Sequence, residues 1–105
     1  MSEFNLTYSQ LKEKAGVKNN PANPTDSTIR RWIQFGLIVH RKKFHSLYSN
    51  RSVEQLKLCM KLREYRKTIR EMKLLFKRYS IEHLNQKLLR NISPSDLDKM
   101  INARK

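Results

Sequence analysis

Apolar residues in the first part of the chain predict a short helix followed by a polar loop. The helix is predicted where apolar side chains surround a polar stretch, at Leu6, Tyr8, Leu11, Ala15 and Val17. Thr7 or Ser9 is expected to cap this helix, and Gly16 to end it, because glycine is favoured just past a helix end. Residues 18–24 are rich in Asn and Pro and have no apolar period, which predicts a loop.

A second helix is predicted from residue 28 to about residue 35, with N-cap candidates at residues 25–27. Its apolar residues recur at i, i+3 and i+4, at Ile29, Trp32 and Ile33. This spacing places them on one face, and Trp32 is expected to lie in the core. The polar residues that point elsewhere are Arg30, Arg31 and Gln34.

The next segment predicts a β-hairpin, or wing. Gly36 ends the second helix, and the apolar residues 37–39 predict a short buried strand. A second short strand is predicted at residues 47–49, and the cationic residues 40–46 form the tip between the two. Two short strands joined by such a tip are typical of a wing.

Two amphipathic helices are predicted after the wing. The third helix opens at Ser52, and its inward stripe consists of Val53, Leu56, Cys59, Met60 and Leu62. A break is predicted at residues 64–67, and Thr68 is expected to cap the fourth helix. The apolar residues of that helix are Ile69, Met72, Leu75, Phe76 and Tyr79. From its place in the inward stripe, Cys59 is expected to be a small buried hydrophobe.

The C-terminal part predicts two further helices. Ile81, Leu84 and Leu88 continue a 3–4 spacing into a fifth helix, and Ser93 followed by Pro94 is a strong start for a sixth. The stripe of the fifth helix either folds back on the domain or forms the seam of a dimer. We expect residues 1–79 to form the main domain and residues 80–105 a helical extension for packing or dimerisation.

Composition and element order together predict the fold class. A chain of 105 residues fits one small domain, and 2 Gly and 3 Pro supply little turn chemistry for an all-β fold. The predicted order is helix, turn, helix, hairpin with a cationic tip, and then further helices. The prediction is a mostly α fold: a winged helix-turn-helix with a short two-stranded wing and extra C-terminal helices.

The charge of the chain predicts a polyanionic partner. There are 23 Lys and Arg against 9 Asp and Glu, a formal net charge of +14. Residues 41–79 hold thirteen of these cations and three acids, so the middle of the chain carries most of the field. A merely solvated surface would explain some excess, but balanced surfaces keep proteins soluble with less self-repulsion. We therefore favour a face that binds nucleic acid.

Candidate contacts to duplex DNA lie on the second helix and the wing. Arg30 and Arg31 carry planar guanidinium groups that reach base edges or phosphates through two hydrogen bonds. Ser27 and Thr28 lie at the helix N-terminus, where free N–H groups and the helix dipole favour a phosphate. The cations at residues 41–43 would neutralise adjacent backbone or enter a minor groove.

Several function classes lack their usual motifs. The two glycines cannot form a Gly-rich phosphate loop, and there is no His-Glu-x-x-His or Cys-x-x-Cys stretch, so no enzyme, metal or cofactor is predicted. The three histidines are unpaired, with His83 far along the chain from His40 and His45, and are expected at the surface. No apolar run approaches the roughly 20 residues of a membrane span, and no export signal opens the chain, which predicts a cytoplasmic protein.

Residues 5–76 resemble the DNA-binding module of the MerR family of bacterial regulators. The stretches that carry the resemblance are residues 6–11 (LTYSQL), 15–17 (AGV), 27–32 (STIRRW), 36–38 (GLI), 47–49 (LYS), 53–56 (VEQL) and 68–75 (TIREMKLL). The regulators continue into a long coiled-coil helix and an effector domain, and we expect the module here without the effector domain. In small form, this module occurs in phage excisionases and in plasmid partition or transfer proteins.

The resemblance implies that the second helix and the wing bind double-stranded DNA. The expected contact residues are Ser27, Thr28, Arg30, Arg31, Gln34, Arg41, Lys42, Lys43, His45 and Tyr48. Tyr48 either donates its hydroxyl to a phosphate or simply packs on the third helix. The function expected is sequence-specific binding as a MerR-like transcription regulator.

Other functions stay open from the residues alone. The chain could act as an architectural or accessory DNA-binding protein in plasmid partition, conjugative transfer or phage excision. RNA binding is a weaker alternative, because single-strand readers need exposed aromatic platforms. A membrane-surface helix at residues 51–79 ranks last. Residues 81–101 are expected to support a homodimer or cooperative binding at tandem sites.

Overall fold

The computed structural model describes residues 4–18, 23–42 and 46–102. These residues form helices and one two-stranded antiparallel sheet. The helices are α1 (Tyr8–Ala15), α2 (Asp26–Gln34), α3 (Asn50–Glu64), α4 (Ile69–Arg78), α5 (Ile81–Leu89) and α6 (Pro94–Asn102). The strands are β1 (Arg41–Lys42) and β2 (Ser46–Leu47). The predicted fold class, a mostly α winged helix-turn-helix with extra C-terminal helices, is confirmed.

Local capping signals set most of the helix ends. Thr7 caps α1 through a reciprocal capping box with Gln10, and Gly16 ends this helix in the left-handed conformation at φ 79°. Thr68 caps α4 as predicted, and the Asp96 N–H donates to Ser93 Oγ at the start of α6. At each of these helix starts, the side chain that accepts from a free N–H group lies within three residues of it in the sequence.

Two predicted helix starts are corrected. Helix α2 begins at Asp26, two residues before the predicted start, because Thr25 is its N-cap and accepts from the Thr28 N–H. Helix α3 begins at Asn50, because Ser49 is its N-cap and Ser52 supplies the returning hydrogen bond of the capping box. In both cases an earlier hydroxyl residue satisfies the same orphan donors.

The prediction of a strand at residues 37–39 is wrong. Leu37 and Ile38 are buried, but residues 37–39 form no strand: the Leu37 N–H donates to the Trp32 carbonyl, and Val39 bonds to side chains of α3. The Val39 N–H donates to Gln55 Oε1 at 2.7 Å, and Ser52 Oγ donates to the Val39 carbonyl at 2.6 Å. With both of its backbone groups satisfied in this way, Val39 needs no ladder partner.

The wing is consequently shorter than predicted: its first strand begins later, at Arg41, and its second, Ser46–Leu47, begins one residue before the predicted range 47–49. Arg41 pairs with Leu47 and Lys42 with Ser46. Tyr48 follows β2 and exchanges backbone hydrogen bonds with Leu6, at 2.9 and 2.8 Å. The N-terminal segment therefore fastens the wing base to α1.

The C-terminal helices share one hydrophobic core with the rest of the chain. Helix α5 packs on α3 and α6 packs on α4. Ile81, Leu84 and Leu88 are 7%, 0% and 2% exposed, so of the two alternatives the stripe folds back on the domain. Two hydrogen bonds reinforce this packing, from the Tyr65 hydroxyl to the Ile92 carbonyl and from Arg78 to the Ile101 carbonyl, both at 2.6 Å.

Cys59 lies in the same core, on the inward side of α3, and is fully buried as predicted. Burial raises the pKa of its thiol, because the thiolate would lose its hydration. The thiol is therefore inert packing in the folded protein.

Candidate nucleic-acid interface

Helix α2 presents a polar face opposite its buried one. Ile29 and Trp32 are 0% and 2% exposed and hold the helix on the core. The residues that point outward are Ser27, Arg30, Arg31 and Gln34, all exposed. Their i, i+3, i+4 and i+7 spacing makes one continuous surface along the helix. The structure therefore brings together these four of the predicted contact residues.

The N-terminus of α2 is already occupied by its own cap. The Thr28 N–H donates to Thr25 Oγ1 at 3.3 Å, and the two threonine hydroxyls lie 3.1 Å apart. Asp26 adds a carboxylate in the first turn, which complements the positive end of the helix dipole. Thr28 therefore lies in the capping network, while Ser27 is exposed beside it.

Arg30 lies over a hydrogen-bonded cluster that joins α1 to α2. We call this cluster, which comprises Tyr8, Lys12, Asp26 and Arg30, the α1 flank. Tyr8 donates its hydroxyl to Asp26 Oδ1 at 2.9 Å, and Lys12 Nζ donates to the same oxygen at 3.0 Å. The Arg30 guanidinium carbon lies 5.8 Å from the centre of the Tyr8 ring. A cation at this distance is attracted to the ring face, which limits where Arg30 points.

The ionisation of the α1 flank follows from these contacts. Burial raises the pKa of Tyr8, and its hydrogen bond to the charged Asp26 raises it further. The hydrogen bond from Lys12, followed by that from Tyr8, holds the pKa of Asp26 below its ordinary value. At neutral pH the cluster therefore contains a protonated phenol and a carboxylate between two cations.

Arg31 lies on the other side of α2, beside α4. We call the cleft there the α4 groove; its volume is about 470 Å³, and it is lined by Arg31, Phe35, Ile69, Arg70, Lys73, Leu74 and Lys77. Phe35 is 40% exposed, the one large hydrophobic side chain that is exposed among the described residues. The Arg31 guanidinium carbon and Lys73 Nζ lie 5.9 and 5.4 Å from its ring centre. The groove therefore combines an apolar floor with cationic walls.

The described part of the wing is cationic and exposed. Arg41 and Lys42 are exposed, but they lie on strand β1 and not at the tip where they were predicted. Lys43 and His45, the other predicted wing contacts, lie outside the described residues. The wing thus adds two exposed cations, Arg41 and Lys42, to the described surface.

Tyr48 connects the wing to the α1 flank from below the surface. It is only 4% exposed, and its ring centre lies 6.1 Å from that of Tyr8 and 6.3 Å from that of His40. Most of the ring therefore packs against other side chains, and a direct phosphate contact by its hydroxyl stays a prediction.

Sequence reasoning missed the partners of the two arginines. The sequence predicts Tyr8 only as a residue of the first helix, Asp26 as an N-cap candidate and Phe35 as a helix end. It predicts no role for Lys12. A signal for the groove was present on α4, where Arg70, Lys73 and Lys77 recur at i, i+3 and i+7. No local signal joins Tyr8 to Asp26, which lies 18 positions further along.

Neither a metal site nor a membrane span emerges from the described segments. Within residues 4–18, 23–42 and 46–102, no group of three His, Cys, Asp or Glu side chains is placed to hold a metal ion. The helices of this part of the chain are also too short and too polar to cross a membrane.

Comparison with known proteins supports the resemblance seen in the sequence. The family profile described as MerR HTH family regulatory protein matches residues 6–86. No curated protein and no solved structure matches the chain. The matched range contains α1, α2, the wing, α3 and α4, together with the first part of α5. Because this match covers well over half of the sequence, the chain belongs to the MerR family of helix-turn-helix regulatory proteins.

Proposed function

We propose that this protein is a transcription regulator that binds duplex DNA with α2 in the major groove. The observation that carries the proposal is the exposed polar face of α2 within the matched MerR module. A helix that is held on the core by Ile29 and Trp32 and presents two arginines outward suits major-groove binding.

Each part of the interface has a proposed role. Arg30 and Arg31 read base edges, and Gln34 pairs with an adenine. Arg41 and Lys42 contact phosphates beside the major groove, and Lys43 and His45 stay predicted contacts. Ser27 donates to a phosphate near the start of α2, whereas Thr28 shapes the cap.

Tyr48 has a supporting role in this proposal. Because it lies below the surface between Tyr8 and His40, we assign it to positioning the wing against the α1 flank. Its hydroxyl would reach a phosphate only if the duplex approached closely at that edge.

The association state is part of the proposal. The stripe of α5 is buried within the fold, which favours cooperative binding of monomers at tandem sites over a dimer through that stripe. We keep the division into a DNA-binding part, residues 1–79, and a C-terminal extension, residues 80–105. We propose that the extension braces α3 and α4, and that the protein acts in the cytoplasm.

The test is fluorescence anisotropy with pooled genomic and plasmid DNA fragments across a salt series. We expect a defined fragment to be enriched, with log K falling linearly with log salt by about 0.9 per neutralised phosphate. Lys42→Ala should weaken all fragments alike and reduce this slope by about one phosphate, whereas the matched control Arg63→Ala on α3 should change little.

Other outcomes would redirect the assignment. Equal binding of all fragments would support an architectural or accessory role in plasmid partition, conjugative transfer or phage excision. Tighter binding of structured RNA at matched charge would support the RNA alternative. Absence of binding below about micromolar protein at low salt would contradict the DNA proposal, because even non-specific binding reaches that range.

A further inference from the structure

We propose that the α4 groove is a docking site for an acidic amphipathic helix of a protein partner. This inference does not depend on DNA binding by α2. It rests on the chemistry of the groove, which combines apolar surface with several cations that form no ion pair with the described residues.

The floor of the groove is apolar and exposed. Phe35 leaves 40% of its surface accessible, and the half-buried Ile69 and Leu74 line the cleft beside it. An exposed aromatic ring that continues into half-buried apolar side chains gives the cleft an apolar patch of the kind that interaction sites use. Phosphate groups gain nothing from such a floor, so the groove is poorly suited to serve only as a backbone contact for DNA.

The walls of the groove carry charges that nothing in the described chain neutralises. Arg31, Arg70, Lys73 and Lys77 line the cleft, and within residues 4–18, 23–42 and 46–102 no carboxylate forms an ion pair with them. By contrast, Lys67 at the start of the same region pairs with both Glu71 and Asp98. The unpaired set therefore favours a ligand that brings its own carboxylates.

A second copy of this chain is a poor source of those carboxylates. The sequence has only 9 acidic residues, and six of them already pair with lysines. The occupant must instead combine acidic side chains with apolar anchors. The volume of about 470 Å³ accommodates a few side chains, which fits a helix that inserts apolar residues at i, i+3 or i+4 and keeps its backbone outside.

The test selects peptides from a displayed library of random 16-residue sequences. Selection is done on the full chain alone, so that Phe35→Ser, a variant that changes a partly exposed side chain, is kept as an independent test of the enriched peptides. We expect enriched peptides to carry Asp and Glu around apolar residues at helical spacing. Circular dichroism of both proteins confirms that the variant is folded before selection begins.

The enriched peptides are then measured by anisotropy against matched variants. Phe35→Ser should weaken binding at least about tenfold, because an aromatic anchor is lost. Lys73→Gln should weaken it about two- to fivefold, whereas Arg63→Gln, which removes one exposed charge outside the groove, should have no effect.

Three results would overturn the proposal. Peptides that bind Phe35→Ser as well as the original chain would show that the groove floor is not used. Equal losses for Lys73→Gln and Arg63→Gln would show attraction to net charge only. If no groove-dependent acidic peptide is enriched while Phe35→Ser weakens duplex DNA binding, the groove belongs to the DNA face. Loss of DNA binding on Arg30→Ala tests the proposed function separately.

Discussion

Arg30 and Arg31 are neighbours in the sequence, yet they lie in opposite kinds of surroundings. On the α1 flank, Arg30 lies over a ring whose hydroxyl is hydrogen-bonded to Asp26. In the α4 groove, Arg31 lies beside the exposed ring of Phe35. Consecutive helical residues point about 100° apart, so one helix serves two different neighbours. The α1 flank therefore satisfies its polar groups internally, whereas the α4 groove leaves charge and apolar surface exposed.

The largest expected effect is on stability, from a change that weakens the packing of α2 and so disturbs both the α1 flank and the α4 groove. Trp32 is 2% exposed and holds α2 on the core. Trp32→Ala should lower the free energy of unfolding by about 3–5 kcal/mol, because it removes a large buried side chain and leaves a cavity. Urea unfolding followed by circular dichroism measures this loss. Phe35→Ser at the C-cap of the same helix is the control and should cost no more than about 1–2 kcal/mol, because the ring is already 40% exposed. Equal unfolding midpoints for the two variants would contradict this account of α2.

The next effect separates the two arginines in DNA binding. Arg30→Ala should cost about 1–3 kcal/mol of binding free energy and relax the choice of base at one position. Arg31→Ala should cost a similar binding free energy and relax the choice of base at a different position, because the two side chains point to different parts of the DNA major groove. Anisotropy with a selected duplex and its single-base variants measures both. If both variants lose discrimination at the same base pair, Arg30 and Arg31 do not read separate positions of the duplex.

A smaller effect is expected from the hydroxyl of Tyr8. Tyr8→Phe removes the hydrogen bond to Asp26 and should lower the free energy of unfolding by about 0.5–1 kcal/mol. Tyr79→Phe is the matched control, because in the described part of the chain the Tyr79 hydroxyl makes no hydrogen bond. Thermal unfolding compares the two. A loss of equal size in both variants would remove the distinction between the α1 flank and an ordinary surface.

The smallest effect is the pH dependence of the α1 flank. Because the pKa of Asp26 lies below its ordinary value of 3.8 in the folded chain, its stabilisation is present above that value. The stabilisation is lost as pH falls through the lower folded-state pKa. The difference in Tm between the original chain and Asp26→Asn should therefore shrink between about pH 5 and about pH 2. A difference that is constant over this range would show that Asp26 does not act through its charge.

Features of the fold that depend on neighbouring residues could be predicted from the sequence. The caps at Thr68 and Ser93 and the stop at Gly16 are local, because the side chain and the backbone groups it satisfies lie within a few positions. The apolar stripes of α3 and α4 could also be predicted from the sequence, since periodicity reports which side of a helix is buried.

Features that depend on distant residues could not be predicted in this way. Residues 37–39 have the apolar character of a buried strand, and only the hydrogen bonds from Ser52 and Gln55 decide that they form none. The apolar stripe of α5 indicated that this face is buried, but not that it packs on α3. In the candidate site, the outward position of Arg30 and Arg31 followed from helix spacing. Their partners Tyr8 and Phe35 depend on how the helices pack, and that the arginines contact DNA stays a prediction.

The buried thiol of Cys59 can serve as a natural probe of how the core of the folded chain opens. The sequence has one cysteine, and its thiol is fully buried on α3 at the centre of the core. A thiol reagent can reach it only when α3 separates from its neighbours, so the rate of labelling measures how often the core opens. The slow modification of a single atom can therefore report the free energy of that opening under native conditions, without a denaturant and without an engineered probe.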